Sequence, residues 1–252
     1  MKKVGLIGFG TIGKYIYDNL KKDGVEFVFI YKKTKIEEGD CAGLVVTSEK
    51  EVEEKCKQGV DLVIEAATSQ AVTALAPVVL KYADMAVFSS TAFADEGFLK
   101  SIQELCQKTG RRLYIPHGAV LGYDGIVDGQ KVLQEVTITT TKSPKSLGRT
   151  DTSRTVVFEG ATREACKLYP RNVNVHAGAA LAGLGFDRTT SRIVSDPQAP
   201  GNMHTIEIKA DGCQFKIEVL SVSTGGVTGA YTPVSAYSSV KRILFSQGIT
   251  LI

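Results

Sequence analysis

The sequence predicts an α/β protein: an N-terminal doubly wound Rossmann domain followed by a second α+β domain built on a mixed or antiparallel sheet. Three observations carry this expectation. A glycine-rich turn, Gly8-Phe9-Gly10-Thr11-Ile12-Gly13, stands between an apolar run and a helical pattern near the start of the chain. Apolar runs then alternate with helical patterns as far as Pro116. Beyond that proline, runs that alternate apolar with polar residues take over.

The elements follow in order. KVGLIG at 3–8 is a short apolar strand closed by glycine, and residues 11–22 place Ile12, Ile16 and Leu20 on one helical face. VEFVFIY at 25–31 is β-branched and aromatic and reads as the second strand, with a weaker strand, LVVT, at 44–47. A polar helix with Glu51, Glu53, Glu54 and Lys57 leads to the buried strand DLVIEAA at 61–67. An alanine-rich helix near 70–82, a strand at 83–90, a helix at 95–109 and a strand at 111–116 complete the series. Nearly continuous apolar strands are covered on both faces, which means a parallel sheet.

In the second half, the stretches 133–142, 190–196, 203–210 and 213–221 alternate as strands with one wet face do. The last two flank Asp211-Gly212, the strongest local hairpin signal in the chain. Helices are expected at about 172–184 and 233–245; Val234, Tyr237, Val240 and Ile243 give the second one an apolar stripe that can pack back onto the first domain. The expected division is therefore 1–117 for dinucleotide binding, 118–232 for substrate, catalysis and oligomerisation, and 233–252 as the returning helix.

Composition narrows the function. With 252 residues and 43% hydrophobic content the chain can build a sizeable core. A net charge of +3 without long basic runs gives no reason to expect a nucleic-acid partner. No apolar stretch approaches membrane-spanning length, and the basic-then-apolar start reads as a first strand rather than a signal peptide. Five cysteines, with no CxxC pair and no metal-ligand spacing, suit reduced thiols in a cytoplasm, and no metal site is expected.

The glycine turn fits G-x-G-x-x-G in the strand–turn–helix setting that dinucleotide binding requires. Gly8 permits the tight turn and Gly10 lets the backbone approach a pyrophosphate, whose charge the helix N-terminus at Thr11 and Ile12 stabilises; Gly13 lets helix and strand pack closely. An acid that would grip the ribose of NAD is missing after the second strand, where Tyr31-Lys32-Lys33-Thr34-Lys35 stands instead. Lys32 can pair with the 2′-phosphate of NADP, which favours NADP competence over strict NAD use, although a merely solvated basic loop would read the same.

Three histidines are candidates for proton transfer. His204 shares a strand face with Ile206 and Ile208 and so points inward, where a lone histidine is more often structural than catalytic. His176 lies on a small-residue helix with Asn172 and Asn174. His117 follows Pro116 in a glycine-rich turn at the edge of the parallel sheet. Residue pattern alone does not choose among them.

The chain resembles the L-aspartate dehydrogenase family, on residues spread over nearly its whole length. They are GFGTIG at 8–13, DLVIEAAT at 61–68, P-x-GA-x-x-G-x-DGI at 116–126, TTTKSPKSL at 139–147, FEG at 158–160, YPRNVNV at 169–175, GFDRT at 185–189 and DP-x(4)-N-x-HTIEI at 196–208. The resemblance implies reversible, NAD(P)-dependent oxidative deamination of L-aspartate to oxaloacetate and ammonia through iminoaspartate, a compound that can also feed NAD synthesis, in a homo-oligomer such as a dimer. It implies His204 as the catalytic histidine, and Ala119 and Asn174 as contacts of the nicotinamide cofactor. Three departures stand out: His117 replaces the serine of the family's usual PSGA, Lys32 replaces a frequent acid, and His176 replaces a small residue.

Water must attack the imine, which calls for a group that takes and gives a proton near neutral pH; histidine, with an ordinary pKa of about 6.5, suits this. Aspartate's two carboxylates need cationic or amide partners, and Lys142 and Asn174 are the candidates, with Thr141 and His117 beside them. Lys142 reads equally well as a solvated strand end, and Arg188 either as a further clamp or as an ion partner of Asp187. Two alternatives remain at this point: a reductase of another short dicarboxylic oxo acid or imine, and a dinucleotide-binding protein without turnover.

Overall fold

The structure, a computed structural model, describes residues 1–33, 41–222 and 229–245. They form two compact units: one runs to Pro116 and takes in the chain again from Pro233, and the other runs from His117 to Thr232.

The first unit alternates strand and helix: β1 (Lys3–Ile7), α1 (Thr11–Lys22), β2 (Glu26–Tyr31), β3 (Val45–Val46), α2 (Glu49–Lys57), β4 (Leu62–Glu65), α3 (Ser69–Val79), β5 (Asp84–Val87), α4 (Glu96–Thr109) and β6 (Leu113–Tyr114). All pairings are parallel and the order is β3-β2-β1-β4-β5-β6. This is the doubly wound order, with its switch point between β1 and β4. Every residue of β4 is buried, as two-sided cover demands.

Local chemistry sets the helix starts. Ser48 and Glu51 form a reciprocal capping box on α2. The Thr68 side chain accepts from Ala71 N to start α3, and Asp95 accepts from Phe98 N to start α4. The strands expected at 44–47 and 111–116 are shorter in the structure, only two residues each, because the sheet neighbours on those edges pair over no greater length.

The second unit comprises α5 (Tyr123–Asp128), β7 (Leu133–Lys142), β8 (Thr155–Ala161), α6 (Thr162–Leu168), α7 (Asn174–Ala182), β9 (Thr190–Ser195), β10 (Asn202–Ala210) and β11 (Cys213–Ser221). Its sheet has the order β11-β10-β7-β9-β8 and is mixed: β7 and β9 run parallel, and the other pairings are antiparallel. The β10–β11 hairpin turns at Asp211-Gly212 as expected, with Gly212 at φ 76°, where an L side chain would be strained. Strand β8 and helices α5 and α6 did not stand out in the sequence.

One sheet face of this unit builds its core. Val136, Ile138, Ile206 and Ile208 bury there with Val120, Ile126 and Ala179. Tyr123 of α5 donates to the Val175 carbonyl at 2.8 Å, and its ring lies where a Cβ on Gly178 would stand, so α5 and α7 pack closely. Finally, α8 (Tyr231–Phe245) returns to the first unit: Ala236, Val240 and Leu244 join the cluster of Val4, Leu20 and Ile30, and the Tyr237 hydroxyl donates to Asp23 at 2.6 Å.

Candidate active site

In the first unit the turn after β1 has the shape a pyrophosphate needs. Gly8 sits at φ 90°, and a Cβ on it would lie 2.7 Å from the Ala66 carbonyl oxygen. A Cβ on Gly13 would lie 2.3 Å from the Gly8 carbonyl oxygen, so helix and turn touch there. Gly10 is the opposite case: a Cβ on it would meet nothing within 4 Å. That open space lies at the first turn of α1, which no side chain caps, so its N-terminal amides and dipole are available to an anion. The residues present therefore fit a dinucleotide. Thr11 is exposed, while Ile12 packs onto the core and can offer a ligand only its backbone.

Sequence reasoning missed the brace behind this turn. Glu65 ends β4 with 0% exposure, and its carboxylate accepts from Ala67 N at 2.7 Å, Ser89 N at 3.0 Å and Ser89 Oγ at 2.7 Å. It ties the loops after β4 and β5 together at the edge where Gly8 meets Ala66. Burial raises its pKa, and the three donors oppose that. Beyond β2, Lys32 is half-buried and Lys33 exposed, and Lys32 N donates to the Val46 carbonyl at 3.1 Å. Thr34 and Lys35 lie outside the described residues.

In the second unit, one face of the sheet changes from apolar to polar along its length. Antiparallel register sets Ile206 of β10 opposite Ile138 of β7, and His204 opposite Thr140. Lys142 follows two residues on, on the same face as Thr140. His204 is 6% exposed, Lys142 7% and Thr140 1%. Thr140 Oγ1 lies 2.9 Å from His204 Nδ1 and 2.6 Å from His176 Nε2, the latter reaching down from α7. His176 Nδ1 lies 2.9 Å from Ser191 Oγ of β9, and Ser191 Oγ 2.7 Å from Thr162 Oγ1 at the start of α6. Lys142 Nζ donates to Asn172 Oδ1 at 3.1 Å.

The electrostatics follow from burial. Desolvation, then the Lys142 charge, pull His204 down to about 4 from its ordinary 6.5. His176 is held well below the ordinary histidine range by full burial, then by His204 and Lys142. Desolvation also lowers Lys142. Both imidazoles are therefore neutral at physiological pH, and both feel Lys142, a buried cation with no carboxylate partner among the described residues.

The structure thus brings His204 and Lys142 together with His176, another of the three candidate histidines, and it adds Thr140, Ser191 and Asn172, which sequence reasoning did not place in the site. The solvated reading of Lys142 is overturned by its burial. Asn174 is the first residue of α7 and half-buried. His117 Nδ1 donates to the Val120 carbonyl at 2.5 Å, closing its own turn, in which Ala119 is half-buried. Asp187 pairs with Arg163 of α6 through two bonds of 2.6 and 2.7 Å, so of the two readings of Arg188 the ion pair with Asp187 is not the one formed.

Comparison with known proteins gives the family of both units. Residues 8–116 match the family described as homoserine dehydrogenase, NAD binding domain, and residues 126–243 match aspartate dehydrogenase, C-terminal. The chain is 36% identical to L-aspartate dehydrogenase of Archaeoglobus fulgidus over 86% of each protein, and 34% identical to that of Methanosarcina barkeri over 97% of each. The crystal structure of aspartate dehydrogenase from Thermotoga maritima superposes with a TM-score of 0.82 at 26% identity, covering 100% of this chain and 99% of that one. With a turn fitted to a dinucleotide and a buried histidine–lysine cluster, the chain belongs to the L-aspartate dehydrogenase family of nicotinamide-dependent oxidoreductases.

Proposed function

We propose that the protein catalyses the reversible, NAD(P)-dependent oxidative deamination of L-aspartate to oxaloacetate and ammonia through iminoaspartate. The observation that carries the second unit's part is Lys142: a buried cation whose hydrogen-bond partner is a neutral amide, beside a neutral histidine. Such a cation is completed by an anionic ligand. A substrate carboxylate supplies the missing charge, and Asn174 and His117 are the further candidates for its polar contacts, whereas the Thr141 side chain alternates onto the opposite face of β7 from Lys142.

A bound nicotinamide would supply the acceptor for the hydride that leaves Cα. The rest falls to this chain. His204, neutral at working pH, accepts a proton from the water that attacks the imine carbon and returns it to the departing nitrogen. Lys142 holds a carboxylate and so fixes Cα, while Ala119 and Asn174 orient the nicotinamide. Family membership does not favour a different oxo acid or a protein without turnover.

Lys32, in place of an acid, supports use of NADP at least as well as NAD. The family resemblance supports a homo-oligomer, such as a dimer, and five free thiols fit a reducing cytoplasm. Among the described residues no helix is long and apolar enough to cross a membrane. The direct test is NAD(P)H oxidation with oxaloacetate plus ammonium against oxaloacetate alone. An imine-forming enzyme turns over only with both; equal rates without ammonium would refute the assignment.

A further inference from the structure

We propose that a buried chain of hydroxyls and one imidazole, running from the Thr189 carbonyl through Thr162, Ser191, His176 and Thr140, fixes His204 in its Nδ1–H tautomer and leaves Nε2 as the proton acceptor. The proposal rests on His204 being the acid–base group and assigns Thr140, His176 and Ser191 as positioning residues.

Donor direction is decided at one end. Thr162 Oγ1 lies 2.9 Å from the carbonyl oxygen of Thr189, which can only accept, so the Thr162 proton is used there. The Ser191–Thr162 contact at 2.7 Å must then carry the Ser191 proton. Ser191 is left as an acceptor, so His176 Nδ1, 2.9 Å away, must carry hydrogen. His176 is 0% exposed and shares its surroundings with Lys142 and His204 and with no carboxylate partner, so it stays neutral and its Nε2 is bare.

Thr140 therefore donates to His176 Nε2 at 2.6 Å and has only lone pairs left for His204. His204 Nδ1, 2.9 Å from that oxygen, must be the donor. Every donor in the chain points toward Thr189, and the imidazole of His204 ends it with Nε2 unprotonated. Nε2 makes no hydrogen bond among the described residues and is not one of their sealed, unpartnered polar atoms, so it is open to a substrate or water.

The arrangement does what a carboxylate does for other catalytic histidines, but without a charge. It orients the ring and selects the basic nitrogen while leaving the imidazolium unstabilised. No member except Thr140 hydrogen-bonds to His204, so the chain makes a prediction at a distance. Removing the Ser191 hydroxyl frees His176 to place its hydrogen on Nε2 and donate to Thr140. Thr140 would then donate to His204 Nδ1 and reverse the tautomer of a residue that Ser191 does not contact.

The test is a two-bond proton–nitrogen correlation NMR spectrum of the uniformly ¹⁵N-labelled enzyme at pH 7, with its three histidines assigned by His→Gln variants. In the wild-type protein, His204 and His176 should both show the Nδ1–H pattern. Thr140→Val and Ser191→Ala should each move His204 toward the Nε2–H pattern and lower kcat roughly 10- to 100-fold, less than loss of His204 itself. Neither should change the KM for NADPH. Thr140→Ser, which keeps the hydroxyl, should restore both tautomer and rate. A wild-type His204 carrying hydrogen on Nε2 overturns the proposal without any variant, as does a Thr140→Val protein with an unchanged His204 spectrum. If the tautomer behaves as predicted while His204→Ala keeps its full kcat, the chain stands and the acid–base role of His204 falls instead.

Discussion

Lys142 Nζ donates to Asn172 Oδ1 at 3.1 Å, joining the last residue of β7 to the loop before α7. A neutral amide can satisfy one donor of an ammonium group but none of its charge.

That imbalance predicts opposite effects on binding and stability. A charge-assisted hydrogen bond contributes about 1.5–3 kcal/mol, so Lys142→Met should raise the KM for aspartate and for oxaloacetate roughly 10- to 100-fold. The same change removes an unpaired buried cation and should leave the melting temperature of the ligand-free protein unchanged or higher. A lowered melting temperature with unaltered KM would make Lys142 a structural residue only.

Two glycines of the turn, Gly10 and Gly13, should separate in thermal stability and NADPH binding. Gly10→Ala places a methyl in open space, so it should preserve thermal stability while weakening NADPH binding. Gly13→Ala drives a methyl against the Gly8 carbonyl and should lower the melting temperature by several degrees. Normal NADPH affinity in Gly10→Ala would mean that the pyrophosphate lies elsewhere.

Much of the first unit was legible in the sequence because its strands are buried on both faces, and KVGLIG and DLVIEAA show it. Strand β8 was not, since its residues are mostly half-buried or exposed on the sheet edge and carry no clean alternation. The inward direction of His204 followed from its spacing to Ile206 and Ile208. Its partners did not: Thr140, His176, Ser191 and Thr162 are scattered along the chain, and only the β7–β10 register and the placement of α7 bring them together. Lys142 could be read as solvated because burial at a strand end depends on what packs over it.

Cofactor choice is open to a single substitution. Lys32→Asp should shift kcat/KM from NADPH toward NADH, since it exchanges a partner of a 2′-phosphate for a partner of a ribose hydroxyl. An unaltered kcat/KM for NADPH would show that Lys32 is solvated surface.

The low pKa of His204 has two pH signatures. With a value of about 4 in the free enzyme, this base remains unprotonated through the neutral range, so kcat/KM for deamination should show no acid limb from His204 between pH 5 and 8. For stability, the folded-state pKa lies below the ordinary 6.5 of the unfolded chain, so the unfolded state binds the proton first. The protein therefore loses stability as pH falls from 6.5 to 4, by about 3 kcal/mol from this residue. His204→Gln should flatten that part of a melting-temperature profile; an unchanged slope would place the loss on other groups, such as His176.

The acid–base role of His204 is tested most directly by kcat with oxaloacetate, ammonium and NADPH for His204→Ala beside His117→Ser. General acid–base catalysis is worth roughly 10²- to 10⁴-fold. His204→Ala should lose that much kcat while binding NADPH normally, and His117→Ser should be mild. Near-normal kcat in His204→Ala together with an inactive His117→Ser would contradict the assignment and move the chemistry to the turn after Pro116.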